Sequence, residues 1–168
     1  RSGEVRGAAW AEIRLHAHEG AMPPERMKAG RPHRVPLSGA AADVLRKVQP
    51  LATGDDDALV FPGGRGGRPL SDMTLTAVLR RMGRDDLTVH GFRSTFRDWV
   101  SEATSYPGEI AEAALAHTIR NAVEAAYRRG DLFEKRRKLM DQWAEHCATP
   151  APAGEVVPIN RGRRATSA

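Results

Sequence analysis

The chain has 168 residues and a mass of 18.3 kDa, enough for one domain with its own apolar core. Lysine and arginine number 26 against 21 acids, giving +5 and a pI near 10.0, a bias that points to a polyanionic partner. No apolar run approaches the roughly 20 residues a membrane-spanning helix needs, and one cysteine, Cys147, excludes an internal disulfide and a Cys-based zinc site.

Residues 3–10 read as a short helix. Ile13-Arg14-Leu15-His16-Ala17 alternates apolar and polar side chains, as a strand does. A basic stretch from Arg26 to Ala42 carries Arg26, Lys28, Arg31, His33 and Arg34 without an acid. It reads as a hairpin with its loop near residues 29–32, ending in Val35-Pro36-Leu37. Ser38 caps a helix through Val48, with Ala41, Ala42, Val44, Leu45 and Val48 on one side. Leu59-Val60-Phe61 reads as a very short strand. The glycines at 63–67 lack the Gly-Lys-Ser/Thr of a phosphate loop. Ser71 is the expected cap of a helix to about Met82.

The segment 89–103 reads as a helix with an apolar stripe of Phe92, Phe96, Trp99 and Ala103. His90, Arg93 and Arg97 step along a different face. Further helices are expected at 110–116, 121–127 and 132–146. In the last, Leu132, Leu139, Met140 and Trp143 point inward, and Lys135-Arg136-Arg137-Lys138 largely outward. From Ala148 to Ala168 the chain is rich in Pro, Ala, Gly and Arg, a composition expected to form a mobile tail. The chain starts at Arg1 without methionine, in what reads as the middle of an element, so a fragment of a longer protein is expected.

Singly, the polar residues have bland explanations. His90 and Arg93, three apart on a helix, have Cβ atoms about 5–6 Å apart, as does many a surface pair. His16 and His18 lack a third metal ligand nearby. Tyr127 among alanines is an ordinary half-buried residue, and Lys28 an ordinary solvated one.

Their order says more. Arg-x-Gly-Glu stands at 1–4, a hairpin lysine at 28, His-x-x-Arg at 90–93, Leu-Ala-His at 115–117 and Tyr at 127. This resembles the catalytic domain of the tyrosine recombinases, the phage integrase family, in its prophage and genomic-island flavour. Val89-His90-Gly91-Phe92-Arg93 resembles the central box. Met27-Lys28-Ala29-Gly30-Arg31-Pro32-His33-Arg34-Val35-Pro36-Leu37 resembles the second and third strands. The resemblance spans about residues 1–147 and implies an α+β, mainly helical domain with a small antiparallel sheet.

It also implies roles. Tyr127 is the expected nucleophile, leaving a 3′-phosphotyrosine bond and a free 5′-hydroxyl. Arg1 and Arg93 clamp the non-bridging oxygens, Lys28 is general acid to the leaving oxygen, His90 is general base, and His117 donates to the phosphate. Glu4 supports the site. Arg31, Arg34, Arg97 and Arg128 are expected DNA contacts. Planar guanidinium groups suit paired phosphate oxygens, and nearby cations lower the cost of the tyrosine phenolate. No cofactor and no metal are expected. The partners implied are double-stranded attachment-site DNA and, in full-length relatives, further copies in a tetramer. The implied setting is the bacterial cytoplasm, at the nucleoid. A type IB topoisomerase, or a DNA-binding fragment without chemistry, stays open as an alternative.

Overall fold

A computed structural model describes residues 1–52, 57–64, 67–117 and 130–150. The expected helix at 121–127 and most of the tail lie outside these residues. The described residues form six α-helices and one three-stranded antiparallel sheet of order β1-β2-β3. The α+β, mainly helical expectation agrees with this.

The chain opens with α1 (Ser2–Arg6), shorter than the 3–10 segment the sequence suggests. Gly7 ends it, and a 3-10 turn at Trp10–Glu12 follows. Strand β1 is only Ile13–Arg14, because Leu15–Ala17 curls into a second 3-10 turn. His18 then takes a left-handed conformation (φ 51°) and turns the chain back into β2 (Glu19–Met22). Strand β2 is not visible in the sequence. Glu-Gly-Ala-Met has no β-branched or aromatic residue, and pairing on both edges makes it a strand. Ile13 faces Gly20, and Glu19, Gly20, Ala21 and Met22 face Pro36, Val35, Arg34 and His33 of β3 (His33–Pro36). The hairpin loop therefore runs over 23–32, wider than expected.

Helix α2 (Gly39–Val48) starts where its cap predicts. The Ser38 side chain accepts from Ala41 N at 3.3 Å. Its buried line is narrower than the pattern suggests: Ala42 and Leu45 are buried, and Val44 is 52% exposed. Residues 59–61 make a single bridge, Ala9 with Leu59, rather than a strand. Helix α3 (Thr74–Arg81) starts three residues after Ser71, which forms a turn instead: its carbonyl accepts from Thr74 N at 3.1 Å.

The rear core lies between α4 (Gly91–Ala103), α5 (Gly108–Ala114) and α6 (Phe133–Ala148). Phe96, Val100, Ile110, Ala111, Leu115 and Leu139 are buried together there. Phe96 meets Trp143 edge-on at 5.3 Å between ring centroids, and Trp99 lies 5.1 Å from Trp143. Phe92 is not part of this stripe. It is 54% exposed, and Ala103 is exposed too, so Phe96, Trp99 and Val100 carry the contact. A second cluster at the front joins Ala8, Leu45 and Val60.

Arg136 corrects the expectation of an outward basic run on α6. It is 1% exposed. Its guanidinium donates to the Asp131 carbonyl (2.7 Å), the Arg34 carbonyl (2.6 Å) and Asp131 Oδ2 (3.1 Å). The i+3 step from buried Phe133 brings Arg136 onto the sheet-facing side, where it ties α6 to β3. Arg137 also turns inward, donating to the Ala17 carbonyl at 3.3 Å.

Arg136→Met should lower unfolding free energy by about 3 kcal/mol, since three acceptors lose the donors of one buried guanidinium. Urea unfolding of both proteins measures it. A loss under about 0.5 kcal/mol, the size of an ordinary surface substitution, would contradict this role.

Candidate active site

Helix α1 presents Arg1 and Glu4. The Arg1 guanidinium donates to Glu4 Oε1 at 2.8 Å. Burial pushes the Glu4 carboxyl up, but hydrogen bonding and charge at Arg1 outweigh it and hold it below its ordinary value. Arg6, at the end of the same helix, donates to the Leu70 carbonyl (2.6 Å) and pairs with Asp72, fixing α1 beside α3.

His90 and Arg93 enter at the start of α4. Thr88 Oγ1 accepts from Gly91 N at 3.0 Å, and the His90 carbonyl accepts from Arg93 N at 3.0 Å. A Cβ at residue 91 would stand 3.2 Å from Thr88 Oγ1, so glycine keeps this turn close. Arg1, His90 and Arg93 line one open groove of about 820 Å³. Val5, Leu75, Val78, Leu79, Val89 and Phe92 form its apolar wall, which accounts for the exposure of Phe92.

Helix α5 supplies His117. The chain leaves α5 through Ala116, in the left-handed region at φ 50°, and this brings the His117 ring back toward α4. Arg93 Nη2 lies 3.0 Å from His117 Nε2 and donates to the Leu115 carbonyl at 2.8 Å. His117 Nδ1 lies 2.5 Å from Glu112 Oε2, and Glu112 Oε1 accepts from Arg97 Nε at 2.7 Å. With Glu112 taking the Nδ1 proton, Nε2 is the nitrogen that meets Arg93. Burial, and then the charge of Arg1, lower the Arg93 guanidinium from its ordinary value, while Glu4 and Glu112 oppose this. An arginine remains a cation throughout.

Five expected site residues are thus linked: Glu4 to Arg1, Arg1 and His90 with Arg93 on the groove, and Arg93 to His117. Lys28 sits exposed on the hairpin loop. Tyr127 and Arg128 lie outside the described residues. Arg31 is exposed on the same loop as Lys28. Arg34 has a structural engagement: it pairs with Asp131 at 2.9 Å and lies 4.0 Å over the Phe133 ring. Arg97 is likewise held by Glu112 and Ser101. The sequence reading missed Glu112. Its signal is faint: a carboxylate five residues before His117 on a helix facing α4. Among the described residues, no group of three His, Cys, Asp or Glu side chains is placed to hold a metal ion.

With this arrangement in view, the comparisons agree on a family. The sequence profile of the phage integrase family matches residues 1–135. The chain belongs to the phage integrase family of tyrosine recombinases. It is 37% identical over 159 residues to the prophage integrase IntA of Escherichia coli K12, covering 94% of this chain and 38% of that protein. It is 33% identical over 146 residues to the prophage integrase IntZ of the same strain, covering 86% and 36%. It is 31% identical over 163 residues to the integrase of Enterobacteria phage P4, covering 87% and 37%. The chain therefore spans under two-fifths of the length of these relatives. No solved structure gives a significant match. Among the described residues, no helix is long and apolar enough to cross a membrane.

His33, at the start of β3, gives the chain a pH signature. Burial, then the Arg136 charge, push its imidazole down to about 4, while Glu4 and Asp131 pull the other way. The unfolded chain binds that proton near the ordinary value of about 6.5. Stability is therefore full above pH 6.5 and falls as pH drops toward 4, because only the unfolded state gains the proton. Urea midpoints at pH 7 and pH 5 should differ more in the wild type than in His33→Gln. Equal pH dependence in both would contradict the burial of His33.

Proposed function

We propose that the chain is the catalytic part of a site-specific recombinase that cuts and rejoins double-stranded DNA at attachment sites of a bacterial mobile element. The observation that carries this reading is the groove where Arg1, His90 and Arg93 meet, extended by the Arg93–His117 contact. A phosphodiester seated there meets two guanidinium groups, which take up charge on its non-bridging oxygens in the transition state.

The step balances without an external reactant. The Tyr127 oxygen attacks phosphorus, and His90 takes the phenol proton. The bond from phosphorus to the 5′-oxygen breaks, and Lys28 protonates that oxygen. The 3′-phosphotyrosine keeps the phosphodiester energy, so another 5′-hydroxyl reverses the step without ATP. His117, its Nδ1 held by Glu112 and its Nε2 against Arg93, approaches the phosphate together with Arg93. Exchange between two duplexes needs several copies, and a tetramer on DNA fits that need. The place of action is wherever bacterial DNA lies, the nucleoid.

The test is a duplex with a nick beside the cleavage site, which loses a short fragment and traps the covalent adduct. The wild type should give an adduct, and Tyr127→Phe none, with DNA binding retained. Tyr106, packed against the rear core, is the control: Tyr106→Phe should keep the adduct. Adduct in Tyr127→Phe and its loss in Tyr106→Phe would overturn the nucleophile. The assay applies to this chain and to any longer polypeptide that carries it.

Binding should weaken with salt. With about four phosphate contacts, log K against log salt should have a slope near −3.6. Arg31→Ala should make that slope shallower by roughly 0.9. A flat salt response by fluorescence anisotropy would contradict the proposal.

A further inference from the structure

Arg26 lies two residues before Lys28, outside every motif, yet its guanidinium holds three segments together. Its Nη1 donates to both oxygens of Glu12, in the 3-10 turn before β1. Its Nη2 donates to the Glu4 carbonyl, on the helix that bears Arg1. The pair is largely withdrawn from water, with side-chain exposures of 24% for Arg26 and 13% for Glu12. One planar guanidinium that serves Glu12 through Nη1 and the Glu4 carbonyl through Nη2 fixes direction as well as distance. Gly7 leaves it space: a Cβ there would stand 3.4 Å from Arg26 Nη2.

The link from Arg26 to Lys28 is short and stiff. Arg26 N donates to the Pro23 carbonyl at 3.2 Å, and Met27 N to the Pro24 carbonyl at 3.0 Å, so the loop root is a closed turn. Met27 is 6% exposed and pins the next residue. Gly30 N then donates to the Met27 carbonyl at 2.9 Å, with Gly30 at φ 60°, which closes a turn with Lys28 at its second position. Lys28 therefore projects from a turn whose base is bolted to α1.

We propose that Arg26, with Glu12, is a positioning residue: it fixes the Lys28 turn relative to the Arg1–Glu4 helix, so that the general acid and the phosphate clamp address the same phosphodiester. This rests on the recombinase reading. It explains why a lysine on an otherwise exposed loop could meet the angular demands of proton transfer.

The test separates acid positioning from general support. Adduct formation is timed on the nicked duplex with the ordinary bridging 5′-oxygen, and on one with sulfur at that place. A thiolate leaves without a proton, because its thiol has a pKa near 8.5. Arg26→Met and Glu12→Gln should slow the oxygen substrate by about 10- to 100-fold, the usual cost of a group displaced by about 1 Å. Both should approach the wild-type rate on sulfur, as should Lys28→Ala. Arg93→Ala should stay slow on both substrates. Glu12→Gln keeps the shape of the side chain, and its melting curve checks the fold.

Equal slowing on oxygen and sulfur by Arg26→Met and Glu12→Gln would overturn the positioning role and leave a structural one. Wild-type rates on both substrates would also overturn it. In either case a wild-type adduct leaves the recombinase reading standing. Absence of a wild-type adduct on both substrates would instead overturn that reading and, with it, the role of Arg26.

Discussion

Cations gathered on one groove, as Arg1 and Arg93 are, repel one another. Burial, and after it the charge of Arg1, lower the affinity of Arg93 for its proton, so the repulsion adds to the cost of withdrawing the group from water. Two carboxylates, Glu4 and Glu112, offset it. Glu4 lies against Arg1, and Glu112 lies against His117 and Arg97. Asp72, the one carboxylate among the described residues lining the groove, is paired with Arg6. The fold has to hold anions close behind cations, and much of its local structure serves that end.

Hydrogen bonds to the backbone do the rest. Arg93 reaches the Leu115 carbonyl, Arg6 the Leu70 carbonyl, Arg26 the Glu4 carbonyl and Arg136 the Arg34 carbonyl. Each bond joins two segments distant in sequence. Arginine suits this work because one planar group serves several acceptors at once. Part of the chain's basic charge is thus spent inside the fold. Arg34 and Arg97 belong mainly to the internal network, whereas Arg31 and Lys28 stand on the exposed loop.

The sequence made some of this legible for definite reasons. Ser38 accepts from an amide three residues on, a local event, and α2 begins where that rule places it. His90 and Arg93 share a helix start, so their proximity is also local. Arg1, Glu4 and His117 join them only through the order of the boxes, since no local rule connects residues 24 to 92 positions apart. Strand β2 was hidden because its residues have weak strand preference and its partners decide the matter. Arg136 was hidden because a Lys-Arg-Arg-Lys run reads as solvated until the carbonyls of β3 and residue 131 are seen beside it. Phe92 kept the helical period of a core residue but faces the groove, whose other wall comes from α1 and α3.

The most direct measurement of the central claim uses a nicked duplex in which one non-bridging oxygen of the scissile phosphate is replaced by methyl, which removes its negative charge. If the Arg1–Arg93 groove exists to take up that charge, Arg93→Ala should slow adduct formation strongly on the ordinary phosphate and far less on the methylphosphonate. An equal penalty on both substrates would contradict the account, because Arg93 would then act through something other than the charge of the phosphate.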